Sequence, residues 1–354
     1  MRALLATPGV AGTARVDDVS EPRAGHRGVL VRPIEVGVCG TDREISAGLF
    51  GIAPPGREQL VLGHELLGTV ARDAHGFTKG DLVTATVRRS CGRCAACLAG
   101  SPDSCDTGDY LERGITGLDG FASELVVEDP ENLVLVPASL GRLGVLAEPA
   151  SICARGLRHA HLIGTRQPWA PTRTLVIGTG AIGMLATFLL RLRGDEVWNA
   201  GLSPEGSEMA RLIGAIGARY VTGAEVSATA LAEEVGGFDL VVEATGDARV
   251  MLGTLGLLRR NGVACLLGLD GRAQQVSLAG RVIGHDTVLQ NRAIFGSVNA
   301  ARVDWLAAID QLDRAHARWP DALEACIGLR VPLERFADAF AFGGVKATLQ
   351  LAEL

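Results

Sequence analysis

Four of the eight cysteines stand close together, as Cys91-x2-Cys94-x2-Cys97-x7-Cys105. Four thiolates in one loop can close a tetrahedral shell around Zn(II). A closed shell leaves no place for a reacting molecule, so such a metal is structural. Gly92 and Gly100 let the chain wrap around an ion. A second set is dispersed: Cys39 in Gly37-Val38-Cys39-Gly40-Thr41-Asp42, His64 and Glu65 in Gly63-His64-Glu65, and Glu148 before Pro149. Sulfur, imidazole and carboxylate together make the mixed ligand set of a zinc that keeps an exchangeable position and does chemistry. A third motif, Gly178-Thr179-Gly180-Ala181-Ile182-Gly183, directly follows the strand-like run TLVIG and opens a helical run. The first glycine makes the tight turn, the second lets backbone approach a pyrophosphate, and the third lets helix and strand pack. The helix N-terminus offers free N–H groups to the phosphates.

The ribose end of that dinucleotide site is less defined. The next strand-like run, Glu196 to Gly201, continues as Leu202-Ser203-Pro204. No acid stands there to accept from an NAD ribose, and no Arg or Lys stands there to meet an NADP 2′-phosphate. Ser203 is either a phosphate donor or a serine of the helix-capping region. The missing acid removes a repulsive element, which tilts the expectation slightly toward NADP.

The elements that position these groups fall into two parts. A chain of 354 residues is too long for one comfortable core. Up to about Pro149 it consists of short strand-like runs and glycine turns: VLVRPIEVGVCG, LLGTVARD, DLVTATV, SELVV and LVLVP. This is a β-rich domain of the kind that curls into a barrel. SICARGLRHAHLIG reads as a helix. From Thr174 strands alternate with helices: TLVIG, EVWNAG, RYV, FDLVVEATG, GVACLLG and AIFGSVN are separated by helical runs that include ARVMLGTLGLLRRNG. That alternation specifies a parallel, doubly wound sheet, so the fold class is α/β. We expect a first domain over 1–150, an inserted dinucleotide-binding domain over 151–305, and 306–354 packing back on the first. The net charge of −6 excludes a basic nucleic-acid footprint, and no apolar run reaches membrane-spanning length. The N-terminal run reads as a first strand rather than an export signal, and clustered cysteines suit metal binding, so the expected location is cytoplasmic.

GVCGTD, GHE, the four-cysteine loop, the glycine-rich turn and EATG resemble the zinc-containing medium-chain alcohol dehydrogenases. VRRSCGRC, TGDYLERGITGLDGF, LAEPASI and FGSVN are similar, more narrowly, to their glucose dehydrogenase branch known from archaea. The resemblance covers nearly the whole chain. It implies a GroES-like β-barrel catalytic domain and a Rossmann domain, with a catalytic zinc in the cleft between them. It implies Cys39 and His64 as zinc ligands, Glu65 as a ligand or near neighbour, and Glu148 in contact with both zinc and sugar. Thr41 matches the hydroxyl beside the reacting alcohol, Glu112 a sugar-hydroxyl acceptor, and Asn299 an asparagine near nicotinamide and sugar. Leu267-Gly268-Leu269 and Ser297-Val298-Asn299 would line the nicotinamide half of the cofactor.

The implied reaction oxidises an aldose at C1 to a lactone with NAD or NADP, using one catalytic and one structural zinc. A homodimer or homotetramer is implied by the same analogy. Leu202 and Ser203 replace the branch's paired basic residues, Ile152 stands where some members have an aspartate, and Val87 where some have a sugar-binding asparagine. Gly80-Asp81-Leu82-Val83 also follows GHE sooner than in general alcohol dehydrogenases. Another polyol, an amino alcohol or a biosynthetic sugar intermediate remains an alternative substrate. A catalytically silent cofactor-binding relative is the alternative of another class.

Overall fold

The computed structural model describes residues 1–23, 25–26, 28–223, 227–269 and 275–354. The chain divides into two compact units: Met1–Ser151 with Asn299–Asp313 and Ile327–Leu354, and Ile152–Val298 with Arg314–Cys326. The helix Arg302–Arg318 contributes its residues up to Asp313 to the first unit and those from Arg314 to the second.

In the first unit a seven-stranded sheet runs in the order Leu133–Leu135, Leu82–Ala85, Glu65–Val70, Val29–Val38, Lys346–Gln350, Ile327–Pro332, with Val126–Glu128 also paired to Val29–Val38. Val29, Val31, Val36, Leu66, Val70 and Val83 bury their side chains in one apolar core with Phe121 and Leu349. The strand Val29–Val38 carries Pro33, which lacks a donor N–H, and its pairing with Glu65–Val70 shifts between Pro33 and Glu35. Beyond the shift Gly37 lies opposite Glu65. The C-terminal strand Lys346–Gln350 pairs on the other side of Val29–Val38, with Ala347 opposite Val38. One strand end therefore gathers residues from three distant parts of the sequence.

The second unit is built on six parallel strands: Arg219–Thr222, Glu196–Gly201, Arg173–Ile177, Phe238–Glu243, Leu258–Leu266 and Ala293–Gly296, in that spatial order. The order reverses between the first strand in sequence, Arg173–Ile177, and the fourth, Phe238–Glu243. In such sheets ligands bind at the carboxyl ends beside that reversal. Arg173–Ile177 and Phe238–Glu243 are almost wholly buried, as strands covered on both faces must be. The helix Ala181–Arg193 ends on Gly194 in the left-handed region, with Arg191 and Arg193 in its last turn, where cations suit the helix dipole.

Two element boundaries differ from the sequence expectation. The helix over SICARGLRHAHLIG begins earlier, at Ala147, so Glu148 sits in its first turn. Pro149 is tolerated there because first-turn N–H groups have no intrahelical partner. The helix expected over ARVMLGTLGLLRRNG ends at Leu257, and Leu258-Arg259-Arg260 already belong to the next strand. Leu258 pairs with Phe238, and tertiary pairing overrides local propensity.

Candidate active site

Cys39 ends the strand Val29–Val38 and caps the helix Gly40–Ser46. A thiol there stands at the end of an interior strand of the sheet. Gly63-His64-Glu65 leads into the neighbouring strand. The Cys39 Sγ, a His64 ring nitrogen and a Glu65 carboxylate oxygen lie within 4.8 Å of one another. His64 and Glu65 are buried, and Cys39 is partly exposed. Thr41 Oγ1 is 4.0 Å from Cys39 Sγ.

Asp42, buried beneath this set, organises it. Its carboxylate accepts from Cys39 N at 2.9 Å and Gly63 N at 3.2 Å, and stands 3.7 Å from His64 Nδ1. Burial opposes the imidazolium of His64, but Asp42 and the Cys39 thiol outweigh it and raise its pKa well above the ordinary value. Buried His64 Nδ1 has no hydrogen-bond partner. A sulfur, an imidazole that prefers to carry positive charge, and a carboxylate form a buried site that suits a divalent cation in place of the proton.

Lys346, also buried, donates to both Glu65 oxygens, at 2.6 and 2.7 Å, and to Val38 O at 3.2 Å. Burial opposes its charge, yet Glu65 and Cys39 raise its pKa. Gly37 makes room for this pair: a Cβ at Gly37 would lie 1.9 Å from Glu65 Oε2. Glu148 is buried too, outside the three-residue set. Burial pushes its carboxyl up to about 7, with Glu65 and Asp42 adding to the rise and His64 and Lys346 opposing it.

The four-cysteine loop forms a second cluster in the same unit, with all four Sγ atoms within 4.8 Å of one another. Zn–S bonds near 2.3 Å in a tetrahedron put sulfurs about 3.8 Å apart. Cys91 and Cys97 Sγ are 3.9 Å apart, so the loop fits zinc as it stands. The thiols differ: hydrogen bonding, first from Thr107, brings Cys91 down to about 6, while desolvation and the Cys94 thiol push Cys97 up to about 12. Glu112 and Asn299 meet nearby, Asn299 Nδ2 donating to Glu112 Oε1 at 3.3 Å. Asn299 holds φ +67, a left-handed conformation that asparagine tolerates. Glu112 also accepts from Arg88.

In the second unit a cavity of about 660 Å³ opens at the carboxyl ends of the strands. Gly178, Thr179, Gly180, Gly201, Leu202 and Ser203 line it. A Cβ at Gly183 would lie 2.0 Å from Gly178 O, so only glycine lets helix and strand pack here. A Cβ at Gly180 would meet nothing within 4 Å, which leaves room for a phosphate. Ala181 and Ile182 begin the helix whose N–H groups face that turn. Ser203 is not the helix cap: Ser207 is, and Ser203 O accepts from Tyr220 Oη at 2.7 Å. Leu267, Gly268 and Leu269 follow the fifth strand, and Ser297 and Val298 the sixth; none of these five lines the cavity. Ser297 N donates to Leu266 O at 3.0 Å.

Residues 141–351 match the model of the glucose dehydrogenase C-terminus, and residues 25–138 that of the alcohol dehydrogenase GroES-like domain. A glucose 1-dehydrogenase of Methanocella arvoryzae is 44% identical over 338 residues, with 94% of each chain covered. The chain belongs to the glucose dehydrogenase branch of the medium-chain alcohol dehydrogenases. Another glucose 1-dehydrogenase of this branch, from Thermoproteus tenax, is 38% identical with 99% of each chain covered. The solved glucose dehydrogenase of Haloferax mediterranei, in complex with NADP, zinc and gluconolactone, aligns over 100% of both chains, with a TM-score of 0.91 and 29% identity.

In this glucose dehydrogenase fold, sequence reasoning left two polar residues of the site unassigned. Asp42 belongs to GVCGTD and occupies the third helical position after the Cys39 cap, where a carboxylate returns to the cap N–H. That spacing was a usable signal. Lys346 offered none, because only the sheet brings it to Glu65. Thr229, Thr245 and Asp247 also line the cofactor-side cavity without having been singled out.

Proposed function

We propose that the chain is a zinc-dependent glucose 1-dehydrogenase that transfers a hydride from C1 of an aldose to NAD(P) and releases a lactone. The observation that carries this is the meeting of Cys39 with buried His64 and Glu65 in a chain similar over nearly its whole length to the glucose 1-dehydrogenases of Methanocella arvoryzae and Thermoproteus tenax. Unit 1, with its four-cysteine loop, is the catalytic domain and unit 2 the cofactor domain.

Cys39, His64 and Glu65 hold the catalytic metal, and Cys91, Cys94, Cys97 and Cys105 the structural one. When bound, the catalytic zinc supplies Lewis acidity to the reacting hydroxyl, while the nicotinamide supplies the hydride acceptor. The chain's own residues do the rest. Asp42 fixes the orientation of His64, and Lys346 fixes Glu65. Thr41 takes the hydroxyl proton toward solvent. Glu148, neutral or ionised near pH 7, holds or releases a proton beside the metal and contacts the sugar. Glu112 and Asn299 bind other hydroxyls, which distinguishes a sugar from a simple alcohol.

The glycine-rich turn, with Gly201, Leu202 and Ser203, takes the pyrophosphate and adenosine half, and Leu267–Leu269 and Ser297–Asn299 the nicotinamide half. The slight preference for NADP is supported by the NADP complex of the Haloferax relative and by Arg211. Its Nη1 donates to Gly206 O at 2.6 Å, which brings a cation to the loop after Ser203.

A cytoplasmic location and a homodimer or homotetramer complete the proposal. Eight free cysteines suit a reducing compartment, and the sheet-edge strand Ala293–Gly296, with exposed Val288 and Leu289 before it, suits a second copy. The deciding experiment pairs zinc analysis with an aldose and polyol panel using NAD and NADP. The expected result is two zincs per chain and turnover of an aldose. Cys39→Ser should lose turnover and keep the loop zinc. A chain that turns over no aldose, or a Cys39→Ser variant with full activity, overturns the proposal.

A further inference from the structure

The four-cysteine loop is the connection of a small hairpin. The strands Arg88–Arg89 and Leu111–Arg113 pair antiparallel, Arg88 opposite Glu112, and the loop joins them. Arg88 is nearly buried, its side chain 9% exposed against 14% for Glu112. Its guanidinium is divided between two tasks. Nε and Nη2 donate to Glu112 Oε1 at 3.0 and 2.9 Å, and Nη1 donates to Asp103 O at 2.7 Å. Asp103 belongs to the short helix Pro102–Ser104, immediately before Cys105. Tyr110, the last residue of the loop, stacks under the same guanidinium, 3.9 Å from ring centre to Cζ.

The planar fork of arginine can hold a carboxylate and a backbone carbonyl at once, which a lysine cannot. Every donor resolved on Glu112 from Arg88 and Asn299 lands on Oε1. The fork therefore fixes the rotation of the carboxylate while its second oxygen takes none of these three bonds. A salt bridge at the rim of a solvated surface would do little; this one is tied by its third donor to the loop that holds the cysteines.

We propose that Arg88 is a positioning residue that couples the four-cysteine loop to the Glu112 carboxylate, so that affinity for the sugar depends on the order of that loop. The inference rests on the proposed sugar contact of Glu112. It gives the closed metal site a bearing on substrate recognition although it takes no part in the chemistry.

The test is a double-mutant cycle of Arg88→Gln and Glu112→Gln in the full-length, zinc-loaded protein. Sugar KM and kcat are measured, together with zinc content and NADP affinity by fluorescence. Arg88→Gln should raise sugar KM roughly tenfold and lower kcat much less, the usual scale for a lost charge-assisted hydrogen bond. Zinc content and NADP affinity should stay near wild type. In the Glu112→Gln background Arg88→Gln should add little. Arg88→Lys, which keeps the charge and loses the fork, should recover part of the affinity. Additive effects of the two substitutions, or an unchanged KM in Arg88→Gln where Glu112→Gln raises it, overturn the coupling and leave the sugar contact standing. An unchanged KM in Glu112→Gln overturns the sugar contact and the coupling with it. Should Arg88→Gln fail to fold, Arg88→Lys in the same cycle decides: a KM equal to wild type overturns the coupling.

Discussion

At the scale of single residues, the Cys39–His64–Glu65 cluster has buried carboxylates around it with different tasks. Asp42 holds Cys39 N and Gly63 N and faces His64. Outer partners of this kind set metal affinity, so Asp42→Asn should weaken zinc at the Cys39 site about 10- to 100-fold. Zinc retention against a graded chelator measures this, and the four-cysteine zinc should be unaffected. Glu148 carries a different signature. Burial raises its pKa from 4.5 to about 7, so in protein stripped of metal the folded state keeps a proton that the unfolded chain has lost. The neutral carboxyl's contribution is complete below pH 4.5 and is lost as pH rises through about 7. The stability of the chelated protein should decline over that window, on the order of 1–3 kcal/mol. Glu148→Gln should flatten the decline; an unaltered slope in denaturation curves would assign it elsewhere.

At the scale of elements, the strand pair that presents Glu65 works only with glycine opposite it. A methyl at Gly37 would meet the Glu65 carboxylate, which Lys346 pins from the other side. Gly37→Ala should therefore cost about 1–3 kcal/mol and release zinc from the Cys39 site. Gly214, inside the helix Glu208–Ala215, has nothing within 4 Å of an added Cβ. Gly214→Ala should instead stabilise by about 0.5–1 kcal/mol in the same denaturation assay. The four-cysteine loop has its own chemical readout. With the metal removed, Cys91, at about 6, is a reactive thiol, with Cys105 lowered as well by hydrogen bonding, first from Thr107, whereas burial holds Cys326 near 12. Alkylation near neutral pH followed by peptide mass analysis should label Cys91 only after chelation and leave Cys326 unmodified in folded protein.

At the scale of the whole molecule, the Cys39–His64–Glu65 cluster lies in the first compact unit and the cavity beside the glycine-rich turn in the second, so under the proposed function the choice of cofactor falls to the second. Among the described lining residues of its cavity none is basic and Asp247 alone is acidic. A site with no basic clamp for a 2′-phosphate, and whose one acid, Asp247, is taken up in capping the helix Ala248–Leu257, discriminates weakly. Titration of the full chain by intrinsic fluorescence should show both NAD and NADP binding, with NADP favoured by no more than about tenfold. Exclusive binding of either would mean that a residue beyond the lining sets the choice. Replacing Arg211 by Gln should narrow the difference if its guanidinium serves the phosphate.

The α/β class, the dinucleotide turn and the four-cysteine loop are all legible along the chain. Each is local: glycine spacing around Gly178, alternating strand and helix from Thr174, and four cysteines within one loop are written in neighbouring residues. Cys39, His64 and Glu65 were legible only through motifs joined by family resemblance, since nothing along the chain ties Cys39 to His64. Tertiary structure alone decided what surrounds them. Lys346 reaches Glu65 because two strands from opposite ends of the chain flank Val29–Val38, and Gly37 faces Glu65 because Pro33 shifts the register. In the sequence Glu112 could be a surface charge paired with Arg113 or Arg88, with the sugar ligand the favoured reading. The fold keeps both features, an Arg88 bond and a neighbouring Asn299, because hydrogen bonds between residues far apart in sequence are made only after the sheets have formed.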